Sequence, residues 1–170
     1  MTASGDATPN VAIKTNSPMA ALLASHPGAA EIFVPSPFQI LVYGGFKDVE
    51  GCVFFRAMFP YDIRLADAEL GIHQDRTGFE CAVNRIHLED YFEKGMAREA
   101  PSLALTAVRC AEFLANRLRR FSTDPFRIIV SVDHRNCTLR FHKVRHGESW
   151  IVDDIESYEE AVFVMDTAHR

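Results

Sequence analysis

Apolar residues recur at helical spacing over one long stretch, residues 101–121. Leu103, Ala107, Cys110, Leu114, Leu118 and Phe121 fall on one side of it, and Arg109, Glu112, Asn116 and Arg119 on the other. That is the pattern of a helix that buries one face. Arg117, Arg119 and Arg120 lie at its C-terminal end, where the helix dipole favours cations. Elsewhere the apolar residues come in short runs. "FRIIVSV", "CTLRFHKV" and "AVFVMDT" after the helix read as strands, and so do "FQILVYGGF", "CVFFRAMF" and "FECAVNRIHL" before it. The first two of the earlier runs flank "KDVEG", where Gly51 suits a positive φ, so a hairpin is expected there. Gly44-Gly45 signals a bulge or a close backbone approach. "SPMAALLASHPG" has the grammar of a short helix, with Ser17 to cap it, Pro18 at its first position and Pro27-Gly28 to stop it. "HLEDYFEKGMAREA" predicts a second short helix.

Together these elements predict an α+β fold: a mostly antiparallel sheet of about six strands packed against one long amphipathic helix, with a short N-terminal helix. Residues 1–16 read as a flexible polar tail, ordered only if something pins them. Residues 17–170 form a single domain, a length that suits one core. The order of elements resembles that of small β-β-β-α-β-β adaptor and chaperone-like domains, a likeness of order alone.

Composition narrows the function classes. The chain is 48% hydrophobic and 24% charged, with a formal net charge of −5. A globally basic nucleic-acid binder is therefore not expected. No run approaches the roughly 20 apolar residues that a membrane-spanning helix needs, and the start of the chain lacks the apolar core of a secretory signal. Cys52, Cys81, Cys110 and Cys137 are scattered among apolar neighbours without a C-x-x-C pair. They read as buried thiols in a reducing compartment, which makes the cytoplasm the expected location.

The densest chemistry lies in "SVDHRNCTLRFHKVRHGESW", residues 131–150. A hairpin pairing Val132 with Leu139 and Val130 with Phe141 would send all four to the core. Ser131, Asp133, Arg140 and His142 would then share the other face. On a strand, His142 and His146 lie roughly 13 Å apart, too far for two ligands of one zinc, so no metal is expected. Gly147-Glu148-Ser149 lacks the second glycine of a nucleophile elbow, and no phosphate-binding glycine loop occurs, so no cofactor is expected. What remains is an acid–base group, His142 with Asp133 and Arg140, which would serve a small enzyme of hydrolase or lyase type acting on a small molecule. The carboxylates Asp62, Asp67, Glu69 and Asp75, with His73, match no ligand loop.

Charge is segregated along the chain. Residues 94–145 hold eleven Lys or Arg against four acids, whereas residues 146–166 hold seven acids and no Lys or Arg. The simplest consequence is that the acidic segment folds against the basic helix and hairpin. Within it, Trp150, Ile155 and Tyr158 alternate with Asp153, Asp154 and Glu156, the composition of an interface anchor in a charged surround. The leading expectation is a non-catalytic protein-binding module, adaptor-like, chaperone-like or immunity-like, that uses these six residues on a protein partner or a second copy of itself.

Overall fold

The computed structural model describes residues 11–25, 32–59, 73, 75–93, 99–134 and 136–167. The fold is α+β. A five-stranded antiparallel sheet has the order β1-β7-β5-β6-β4, built from β1 (Ala12–Thr15), β4 (Ile86–His87), β5 (Phe126–Asp133), β6 (Asn136–Lys143) and β7 (Ala161–Asp166). A separate two-stranded hairpin joins β2 (Phe46–Val49) to β3 (Cys52–Phe55). Four helices are present among the described residues: α1 (Ser17–Ser25), α2 (Ser36–Tyr43), α3 (Arg76–Val83) and α4 (Ala100–Phe121).

Helix α4 is the expected long helix, and its apolar stripe is the floor of the core. Leu103, Ala107, Cys110, Leu114 and Leu118 are fully buried against Ile128 and Val130 of β5, Leu139 and Phe141 of β6, and Phe163 and Met165 of β7. Burying side chains of this size supplies most of the driving force for the fold.

Two of the expected strands are helices. Ser36–Tyr43 begins with Pro37 in its first turn and buries Phe38 and Val42, one turn apart, while Ile40 and Tyr43 stay exposed. An apolar run of eight residues does not distinguish strand from helix by periodicity, but the Ser-Pro start does. Gly44 caps this helix and Gly45, at φ 85°, turns the chain into β2, so the glycine pair is a helix exit and not a bulge. Arg76–Val83 is likewise a helix, started by Asp75, whose carboxylate accepts the Gly78 N–H at 2.6 Å. Only Ile86–His87 of that region pairs as a strand, and Leu88–Tyr91 forms a single 3₁₀ turn. The hairpin predicted near Gly51 exists, but with "FKDV" as its first strand. Glu50 and Gly51 both take positive φ, as a two-residue hairpin turn requires.

Residues 12–16, expected in the polar tail, are part of the fold. Ala12–Thr15 is pinned as the edge strand beside β7. Asn16, fully buried, is the cap of α1 in place of Ser17: its side-chain oxygen accepts the Met19 N–H at 3.1 Å and the Val162 N–H at 2.8 Å, and its amide donates to the Glu160 carbonyl at 2.8 Å.

Helix α3 joins the two sheets through side chains. Glu80 and Asn84 lie one turn apart and both are fully buried. Glu80 accepts the Val53 N–H (2.6 Å), the Lys143 N–H (3.0 Å) and Nη1 of Arg145 (2.6 Å). Asn84 accepts the Phe55 N–H and donates to the carbonyls of Val53 and Phe141. These carboxylate and amide groups satisfy strand edges of β3 and β6 that would otherwise be buried without partners. Arg145 completes the clasp by donating to the carbonyls of Gly51 (2.7 Å) and Lys143 (3.2 Å). Burial pushes the Glu80 carboxyl above its ordinary range, against the pull of Arg145 and the two backbone donors.

Candidate functional site

The β5–β6 hairpin presents the two faces expected of it, but its register is shifted by two residues. Val132 pairs with Cys137, Val130 with Leu139 and Ile128 with Phe141. A shift of two preserves the face of every side chain, so the core assignment stands. The other face carries Ser131 beside Thr138, Ile129 beside Arg140, and Arg127 beside His142.

That second face is covered by the acidic segment. Ile151, Ile155 and Tyr158 turn inward and pack on Val162 and Val164 of β7, while Trp150, Val152 and most of the acids face outward. The acidic stretch thus folds against the hairpin, on the side of the sheet away from α4. Arg127 holds Asp166 through two hydrogen bonds of 2.7 Å, and Glu148 accepts the Thr77 N–H at 3.0 Å.

Between this segment and the sheet lies a cavity of about 230 Å³. Its floor is Ile129 and Val162. Ser131 and Thr138 contribute hydroxyls, 2.7 Å apart and hydrogen-bonded to each other. Trp150, Ile151 and Tyr158 form the wall, and Arg140 and Glu160 bring opposite charges to the lining. The guanidinium of Arg140 lies 5.0 Å from the centre of the Trp150 ring, in cation–π contact. It makes no hydrogen bond or ion pair to a described residue. Burial and the neighbouring charge of Arg85 lower the Arg140 pKa from its ordinary value.

The structure brings together some of the expected residues and separates others. Trp150, Tyr158 and Arg140 share the cavity, although the sequence reading had put them in two different candidate sites. Trp150 is 39% exposed and outside the core. Asp153 is exposed. Ile155 is buried and belongs to the packing of the covering segment, so it is not available as a contact residue. Asp154 accepts the Glu156 N–H at the start of a 3₁₀ turn, and both oxygens of Glu156 accept the Ser17 N–H at the start of α1.

The acid–base group does not assemble. Asp133 is at the far end of the hairpin, paired with Asn136 and exposed; six residues of strand, roughly 20 Å, separate Asn136 from His142. His142 is 1% exposed and is not part of the cavity lining. Its Nδ1 lies 2.9 Å from the Lys143 carbonyl, which can only accept, so Nδ1 carries the proton and the buried Nε2, without a partner among the described residues, carries the lone pair. Burial lowers its pKa and keeps the ring neutral. A neutral ring outside this cavity exchanges no proton with a group bound in it.

All four cysteines are unbridged and buried, and burial pushes the Cys52 thiol up to about 12. Among the described residues no three His, Cys, Asp or Glu side chains come together as a metal-binding set, and no helix is long and apolar enough to cross a membrane. Asp62, Asp67 and Glu69 lie outside the described residues; Asp75 is the helix cap described above.

Arg85, whose charge acts on Arg140 of the cavity, is the neighbour that sequence reasoning missed. The antiparallel register of β4 with β6 pairs Ile86 with Leu139 and His87 with Thr138. Extended by one residue, it sets Arg85 opposite Arg140. With "FECAVNRIHL" read as one long strand, this two-residue pairing was not visible.

The family model of the Uncharacterized protein PM0498 family matches residues 14–170. The chain belongs to that family. Uncharacterized protein PM0498 of Pasteurella multocida (strain Pm70) is 27% identical over 127 residues, which cover 70% of this chain and 77% of that protein. No solved structure matches. The matched span contains α3, the hairpin, the covering segment and every residue of the cavity.

Proposed function

We propose that this member of the family is a non-catalytic protein-binding module, adaptor-like, chaperone-like or immunity-like, and that its contact surface is the face formed by residues 149–160 together with Arg140. The observation that carries this reading is the position of Trp150. The chain's only tryptophan stands half out of the surface, stacked on an arginine at the mouth of a side-chain-sized cavity. A large rigid ring so placed is the kind of anchor on which interfaces concentrate their energy. Asp153, Glu159 and Glu160 around it are exposed and suit a partner with a basic surface, which they would steer electrostatically. The buried, neutral His142 favours binding over acid–base catalysis. The four unbridged thiols support a reducing compartment, the cytoplasm, as the place of the encounter.

The test is capture from native lysate by the wild-type chain and by Trp150→Ala, with denaturation curves of both. The reading expects one or more proteins held specifically by the wild type, or a second copy of the chain, with association weakened by salt and lost in the variant at near-normal stability. A variant that captures the same partner as well as the wild type contradicts it. So does a variant that loses partner and fold together, because Trp150 would then be a core residue.

A further inference from the structure

Two arginines stand opposite each other where the register of the β4–β6 pair is extended by one residue. Extension of the Ile86–Leu139 register puts Arg85 opposite Arg140, and the positive charge of Arg85 is felt at Arg140. Like charges directly across an antiparallel pair destabilise it. Neither side chain makes a hydrogen bond or ion pair to a described residue. Arg85 is exposed and can turn to solvent. Arg140 is partly buried, lines the cavity and stacks on Trp150. The Arg140 guanidinium keeps contact with solvent at the cavity and has no acceptor among the described residues, and its planar fork matches the two oxygens of a carboxylate.

We propose that Arg85 and Arg140, with Trp150 beside them, form a carboxylate-binding subsite in which the partner protein seats one free carboxylate. This rests on the protein-binding reading for the source of the ligand. Size and charge define the ligand class. Small-molecule sites run from about 300 to 1,000 Å³; at about 230 Å³ this cavity takes one residue of a chain. Ile129, Ile151 and Val162 offer that residue an apolar seat. Glu160 on the lining and the acids of the covering segment repel a polyanion, so the subsite selects a single carboxylate carried on a neutral or basic segment. That carboxylate is either an acidic side chain or a chain terminus.

Because Trp150 is the only tryptophan, its fluorescence reports the subsite directly. The probes are N-acetyl-leucine, with a terminal carboxylate; N-acetyl-aspartate amide, with a side-chain carboxylate; N-acetyl-leucine amide, with neither; and inorganic phosphate. The expected result is a saturable change with one of the two carboxylates, which names the source, and none with the neutral amide. Arg140→Gln and the exposed variant Arg85→Gln should each weaken it by roughly tenfold, the worth of a charged hydrogen bond, while Lys14→Gln on the β1 edge leaves it unchanged. Equal response to the acid and the amide, tighter binding of phosphate, indifference to both arginine variants, or no saturable change would each overturn the proposal. The two readings fail differently: partner capture that needs Trp150 but survives both arginine variants removes the carboxylate subsite and leaves the binding module standing.

Discussion

Arg140 and Arg145 lie five residues apart, yet their surroundings are opposite. Arg145 is mostly buried and richly hydrogen-bonded. It donates to the Glu80 carboxylate at 2.6 Å and to three further oxygens, on Gly51, Thr77 and Lys143. Arg140 faces a cavity and touches an aromatic ring, and its donors have no acceptor among the described residues. Residue type and burial alone do not separate structural from recognition charges; the completeness of the hydrogen bonding does. A saturated buried network fixes how α3, β3 and β6 meet, whereas an unsaturated one at an opening is ready for something else.

The largest expected effect comes from breaking the saturated side. Glu80→Ala should cost about 3–5 kcal/mol, because it leaves the Arg145 charge and two strand N–H groups without acceptors. Equilibrium denaturation measures it, and a cost below about 1 kcal/mol, within the range of a surface change, would mean the clasp is solvated. Leu114→Ala supplies an apolar reference from beneath the same sheet, at about 2–5 kcal/mol for the cavity it leaves. Arg109→Ala, exposed on the far side of α4, should stay within roughly 0.5 kcal/mol. Similar midpoints for these two at unchanged slope would contradict the assigned helix face.

His142, between the two arginines, sharpens the comparison through pH. Its folded pKa is lowered by burial, against the hydrogen bond to the Lys143 carbonyl, with the charges of Arg127 and Arg145 lowering it further and Asp166 opposing them. The native state therefore binds fewer protons at this site than the unfolded chain. The stability contribution is fully present above the unfolded value of about 6.5 and is lost as pH falls below it, at up to roughly 1.4 kcal/mol per pH unit. His142→Asn keeps a donor for the Lys143 carbonyl but does not titrate, so its stability should fall less than the wild type's between neutral pH and mild acid. Parallel curves would show that His142 is exposed in solution. A smaller effect is expected at the cavity mouth. Trp150→Ala should lose about 1 kcal/mol, the scale of one cation–π contact with modest packing.

How far the sequence could be read follows from the range of the forces involved. Helix α4 and the faces of the β5–β6 hairpin were legible, since a 22-residue amphipathic stripe and a period-two alternation are local patterns. The register was missed by two because the strands stay paired as far as Asp133 and Asn136, closer to the turn than the Val132–Leu139 pairing implied, with His134 at φ 41°. Helices α2 and α3 were misread although each carried a local start signal, Ser36-Pro37 and Asp75. The clasp had no local signal. Glu80 is buried because strand edges 27 and 63 residues away need acceptors, a demand visible only once the sheets are assembled. The Arg140–Trp150 contact likewise depends on the acidic segment folding back over the hairpin.

The most direct test of the contrast is a side-by-side denaturation of Arg145→Gln and Arg140→Gln, the same substitution at two nearby sites. A saturated clasp beside an open recognition cavity predicts a loss of about 3–5 kcal/mol for the first, since Glu80 is left buried without its cation. It predicts about 1 kcal/mol or less for the second, where only the stacking on Trp150 is lost. Equal losses at the two positions would contradict it, because Arg140 would then be part of what holds the fold together.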